Sequence, residues 1–65
     1  MNIDIRTREG RESEVLEKIR TSKGFSIFWA TENIHRAATI ERLTIRGEIV
    51  STGGEYPWCG FEVAK

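Results

Sequence analysis

The stretch Ile34-His35-Arg36-Ala37-Ala38-Thr39-Ile40-Glu41-Arg42-Leu43-Thr44-Ile45-Arg46-Gly47-Glu48-Ile49-Val50 decides how this chain folds. Ile34, Ala37, Ile40 and Leu43 recur at the spacing of one continuous helical arc, with Thr44 beside them. A helix over residues 34–46 is therefore expected to bury that arc. Gly47 follows as a stop, because glycine takes the left-handed conformation that ends helices. A strand over residues 48–52 comes next. Gly53-Gly54 and Pro57 then form an enlarged turn before a second strand at residues 59–64. In that strand Cys59, Phe61 and Val63 share one face, and Gly60, Glu62 and Ala64 the other.

Upstream, residues 2–6 alternate polar and apolar, which predicts a short half-buried strand with Ile3 and Ile5 on one face. Thr7 offers a helix cap, with Gly10 a weak point just after it. Residues 9–22 then carry a helical pattern in which Val15, Leu16 and Ile19 share a face. Glu14 and Lys18 are spaced for a surface i, i+4 pair. Gly24 is expected to close this helix, after a cationic last turn containing Arg20 and Lys23. Residues 25–33 suit either a buried strand or a short helix. Helix is preferred, because Phe25, Phe28 and Trp29 fall at i, i+3 and i+4 and Ser26 is a good cap.

The order strand, helix, helix, helix, strand, strand resembles the winged helix-turn-helix families of bacterial and phage regulators. Residues 13–64 can be laid on that pattern. The local match is Ile40-x-x-Leu43-x-x-x-Gly47-x-Ile49 followed by a hairpin. Where the family tends to carry Ser/Thr-Val followed by a basic residue, this chain has His35, Arg36 and Ala38, and its second helix is unusually aromatic. The resemblance implies an α+β domain with an N-terminal strand, three helices of which the second is short, and a C-terminal β-hairpin wing in a small antiparallel sheet. It also implies a DNA-binding role, in transcription regulation or as a phage accessory factor, with residues 34–46 as recognition helix.

Composition sets bounds on these expectations. Sixty-five residues make one domain, residues 1–65, which buries only about 60% of its unfolded surface and leans on an economical core. With 38% apolar and 31% charged residues it has the balance of a globular protein rather than a disordered one. Apolar runs are short, as in Ile27-Phe28-Trp29-Ala30, far below the ~20 residues of a membrane span. Asp4 stands where a signal peptide would need a basic region. The lone Cys59 excludes an internal disulfide and suits a reducing compartment. A cytoplasmic location, away from membranes, is expected.

The net charge is zero, so any affinity for nucleic acid depends on where the charges sit. His35, Thr39, Arg42 and Arg46 are spaced by four, three and four. That places them on one line about 16 Å long, opposite the apolar arc, with Arg36 flanking it. Residues 34–46 hold Arg36, Arg42 and Arg46 against Glu41, a net of +2. Residues 47–65 hold Lys65 against Glu48, Glu55 and Glu62, a net of −2. The functional expectation is double-stranded DNA, with Arg42 or Arg46 reading guanine edges and the others holding phosphates. The bland alternative is a solvated helix face that lacks acids. Three cationic contacts give a salt slope of only about −2.7, so a homodimer or a second protein would be needed for tight binding.

A second constellation is aromatic. Tyr56, Pro57 and Trp58 fall in the hairpin loop, where large apolar side chains either fold back on the core or make an interface. Folding back is favoured in so small a chain. An aromatic residue before Pro57 makes a cis Tyr56-Pro57 bond possible, although trans remains the default. If instead the loop makes an interface, the same scaffold is a protein-interaction module or an inhibitor of another protein, using Tyr56 and Trp58 and the acidic wing.

No chemistry is indicated. Cys59 and His35 are single residues on separate elements, and Cys59 reads as a small core residue. One Cys and one His do not make a structural zinc site. Gly53-Gly54 lies between strands rather than before a helix, so it is a turn and not a phosphate loop. The expectation is a non-enzyme without metal, cofactor or small-molecule substrate.

Overall fold

A computed structural model describes residues 4–64 as a small α+β domain of three helices and a three-stranded antiparallel sheet. The elements are α1 (Arg8–Ser22), β1 (Gly24–Ser26), α2 (Ile27–Thr31), α3 (Ile34–Ile45), β2 (Ile49–Gly53) and β3 (Trp58–Val63). The sheet order is β1-β3-β2, so the last strand is central.

Each helix begins on a side-chain cap. Thr7 Oγ1 accepts from the Gly10 N–H at 3.0 Å, Ser26 Oγ from Trp29 at 3.1 Å, and Asn33 Oδ1 from His35 at 2.8 Å. Each satisfies one of the donors that a helix N-terminus leaves free. At the end of α3, Gly47 N–H donates to the Thr44 carbonyl at 3.1 Å and Glu48 N–H to Leu43 at 2.9 Å. With Gly47 at φ 76° this is a Schellman stop.

The end of α1 differs from expectation. Lys23 takes the left-handed conformation (φ 57°), and its N–H closes the helix on the Ile19 carbonyl at 2.8 Å. Gly24 instead opens β1 at φ 141°, opposite Gly60, where a Cβ would run into the Cys59 carbonyl. Its glycine is required by the strand pairing, not by the helix stop.

Two further expectations change. Residues 4–6 form a turn, not a strand. Asp4 Oδ1 accepts from the Arg6 N–H at 3.0 Å, and the Asp4 carbonyl from Thr7 N–H at 3.2 Å and Thr7 Oγ1 at 3.0 Å. Such local bonds compete with a sheet ladder. Asn2 and Ile3 lie outside the described residues. The third strand comes from residues 24–26, so Phe25 is in a strand and helix begins only at Ile27. Residues 25–33 thus divide between the two alternatives, with Ser26 ending the strand and capping the helix.

The core is Val15 and Ile19 from α1, Phe25 from β1, Ala30 from α2, Leu43 from α3 and Ile49 from β2. Leu16, Trp29, Ile40, Cys59, Phe61 and Val63 pack around it, as the face-sharing of residues 59, 61 and 63 predicts. Phe25 stacks on Phe61 with ring centroids 5.0 Å apart and meets Trp29 at 5.3 Å. No helix among the described residues is long and apolar enough to cross a membrane.

Candidate functional site

The basic side of α3 is turned toward α1 rather than away from the domain. Thr39 is fully buried, and its Oγ1 donates to the His35 carbonyl at 2.6 Å and accepts from an Arg42 nitrogen at 3.2 Å. Arg36 is only 13% exposed. It grips Glu14 of α1 with Nε and Nη2 at 3.1 and 3.3 Å, donates Nη1 to the Trp29 carbonyl at 2.8 Å, and lies 4.1 Å over the Trp29 ring. Arg46 donates to both oxygens of Glu12 at 2.9 and 3.2 Å and to Glu48 of the α3–β2 junction. Arg42 Nε, shielded from solvent, sits 3.9 Å from Glu12. Of the five residues expected to face DNA, His35 alone is exposed without an ion pair.

The stripe is therefore not opposite the core. At 3.6 residues per turn, the buried side centred on Arg36, Thr39, Ile40 and Leu43 is rotated by roughly a quarter turn from the expected arc. Ile34 and Ala37, placed in that arc, are exposed, Ile34 by 80%. The physical reason lies on α1. Glu12 and Glu14 flank the buried Val15, so the α1–α3 contact brings two carboxylates against the arginines. Glu14 consequently pairs with Arg36 rather than with Lys18, whose ammonium lies 5.6 Å from the Trp29 ring centroid. Hydrogen bonding from Arg46, reinforced by the charges of Arg46, Arg42 and Arg8, holds the Glu12 carboxyl below its ordinary range, against the opposing effect of burial. The signal for this was available: acids beside an apolar core position on one helix, arginines beside Leu43 on the other.

The side of α3 turned to solvent carries Ile34, Ala38, Glu41 and Ile45, again spaced four, three and four, with Ala37 and Thr44 beside them. Ile45 is 77% exposed. Glu41 is the sole charge on this line, and the only one among those residues.

A second exposed surface joins the β2–β3 loop to α2. Tyr56 and Trp58 do not fold back as expected; they remain 79% and 42% exposed, alongside Phe28 at 61%. Phe28 meets Tyr56 edge to face at 6.0 Å. Two backbone contacts hold the loop: the Ile27 N–H donates to the Pro57 carbonyl at 2.7 Å, and Trp58 pairs with Ser26 in the sheet. The Tyr56-Pro57 bond is cis, not the default trans. The sequence singles out Tyr56 and Trp58 but sets Phe28 on one helical face with Phe25 and Trp29, because so short a stretch shows no clear periodicity.

Among the described residues, no three His, Cys, Asp or Glu side chains gather as metal ligands, and no pocket opens in the surface. No protein-family model matches this chain, and no curated protein or solved structure matches it either.

Proposed function

We propose that this chain is a winged helix-turn-helix-like domain that acts as a protein-interaction module, with the Phe28, Tyr56 and Trp58 surface as its principal contact. The element order, the helix-glycine-strand junction at Gly47 and the β2–β3 hairpin support the winged-helix assignment. The observation that carries the function is this set of exposed rings: Phe28 of α2 meets Tyr56 of the loop, and Trp58 opens β3 two residues further on, where it is paired in the sheet. Rigid aromatic side chains supply contact area at little entropic cost and dominate binding hot spots. Glu55 and Glu62, exposed on the loop and on β3, would form an acidic rim that favours a partner with basic residues around an apolar centre.

The same scaffold suits DNA, but here the geometry lends that role less support. Arg36, Arg42 and Arg46 all face carboxylates of α1 or the α3–β2 junction, and freeing them for phosphates would leave Glu12 and Glu14 unpaired. A cytoplasmic setting fits the lone free cysteine and belongs to the same proposal.

The test compares two variants in pull-downs from an extract of the source cells. Trp58→Ala abolishes recovery of a specific protein partner, while Arg42→Ala retains it. An NMR titration with mixed duplex DNA at low salt supplies the counter-experiment. Salt-sensitive shifts confined to residues 35–46 would overturn the proposal in favour of DNA recognition.

A further inference from the structure

We propose that the solvent face of α3 is a second docking surface, which receives a basic amphipathic helix from another protein. The inference shares the interaction-module reading but uses a different face. Ile34 and Ile45, the two most exposed isoleucines among the described residues, stand at the ends of the line Ile34-Ala38-Glu41-Ile45. The line is about 16 Å long, three turns of helix. Between them Ala37 and Ala38 leave a low centre, which lets a second helix approach to about 8 Å between axes. The row reads as a seam between two helices rather than as a solvated face, which would carry charges along its length.

Charge selects the occupant. Glu41 is the single charged side chain on the seam, while of the flanking cations Arg46 is hydrogen-bonded to Glu12 and Glu48 and Arg42 lies 3.9 Å from Glu12 and donates to Thr39. A complementary helix therefore places one Lys or Arg opposite Glu41. Its apolar residues lie about four positions to one side, to cover Ile45, and about seven to the other, to cover Ile34. A second copy of this chain fits poorly. Parallel self-pairing sets the two Glu41 side by side, and the antiparallel register that opposes Ile34 to Ile45 sets each Glu41 against Ala38 of the other copy, about 4.5 Å from its twin along the seam. Like charges so placed oppose association. Nucleic acid fails on the same sign, since phosphates would meet Glu41 and no free cation on this face.

The probes are two synthetic peptides of about 14 residues with one helical pattern, one of leucine and lysine, the other of leucine and glutamate. Each is titrated into isotope-labelled protein and followed by NMR. The leucine–lysine peptide is expected to shift the amides of Ile34, Ala38, Glu41 and Ile45 saturably, and to bind at least about tenfold tighter than its acidic counterpart. Glu41→Lys reverses that preference, Ile45→Asp removes binding, and Trp58→Ala leaves it unchanged. Because all three positions are exposed, circular dichroism shows each variant folded. Equal affinity for the two peptides, no binding of either, or shifts centred on Phe28 and Tyr56 overturns the proposal. So does a wild-type dimer in sedimentation that Ile45→Asp dissolves, which would give this face to a second copy. Loss of the Trp58-dependent partner in the pull-down would defeat the aromatic surface alone, and loss of the peptide preference would defeat the α3 seam alone.

Discussion

Replacing Arg36 separates a structural clamp from a DNA contact, because the two roles predict opposite signatures. Arg36→Ala deletes a two-pronged ion pair to Glu14, a hydrogen bond to the Trp29 carbonyl and the stacking of the guanidinium on the Trp29 ring. Breaking a buried pair costs about 3–5 kcal/mol when the orphaned charge stays buried. Glu14 retains a quarter of its exposure and can turn toward water, which lowers that figure. Leaving the Trp29 carbonyl unpaired adds about 1–3 kcal/mol. Together these suggest a loss of roughly 2–4 kcal/mol.

A 65-residue domain is stable by only about 3–10 kcal/mol, so the variant sits near its unfolding threshold. At about 4–8 °C per kcal/mol its Tm falls by roughly 8–32 °C. Thermal unfolding by circular dichroism reads the shift. A double-mutant cycle with Glu14→Ala reads the coupling, which should account for a substantial share of the loss. Arg36→Lys rescues little, because an ammonium lacks the planar fork that meets both carboxylate oxygens. A Tm change below about 4 °C, with a large loss of duplex DNA binding, would refute the clamp and return Arg36 to a phosphate-facing role.

Leu43→Ala is expected to cost about 2–5 kcal/mol, because Leu43 is fully buried, while Ile34→Asp and Ile45→Asp stay within about 0.5 kcal/mol of wild type. Denaturant titrations of the three variants check whether α3 is rotated as described; comparable losses at Ile34 and Leu43 would contradict it. Gly24→Ala places a Cβ against the Cys59 carbonyl at a strained φ, and is expected to unpair β1 from β3. Hydrogen exchange at Phe61, whose N–H donates to the Lys23 carbonyl, reads that loss directly. The lowered Glu12 and Asp4 carboxyls contribute stability that is fully present above their unfolded values of 4.5 and 3.8. That contribution disappears as pH falls from there through their folded values. Tm should therefore decline below about pH 4.5. Glu12→Gln should flatten part of the decline, and an unchanged acid profile would count against the Arg46–Glu12 contact.

Much of the local structure was legible in the residues themselves. Thr7 and Ser26 announce two helix starts and Gly47 a helix stop, because a hydroxyl beside free N–H groups and a glycine able to reach positive φ act within a few residues. The alternation at residues 59, 61 and 63 identifies the inner face of the last strand for the same reason. Tyr56 and Trp58 stood out as loop aromatics, although their exposure did not follow from their position.

Only the tertiary structure decided which side of α3 is buried. The helix offers two faces of comparable apolarity, one with Leu43 and Ile40, the other with Ile34, Ala38 and Ile45. The choice between them depends on Glu12 and Glu14, more than twenty residues away in the chain. Once α1 packs through Val15, those carboxylates neutralise Arg36, Arg42 and Arg46 at the contact, so a polar stripe becomes part of the interior seam. A helical wheel ranks faces by hydropathy alone. It misses that a paired arginine can pack like an apolar stem with its charge already satisfied.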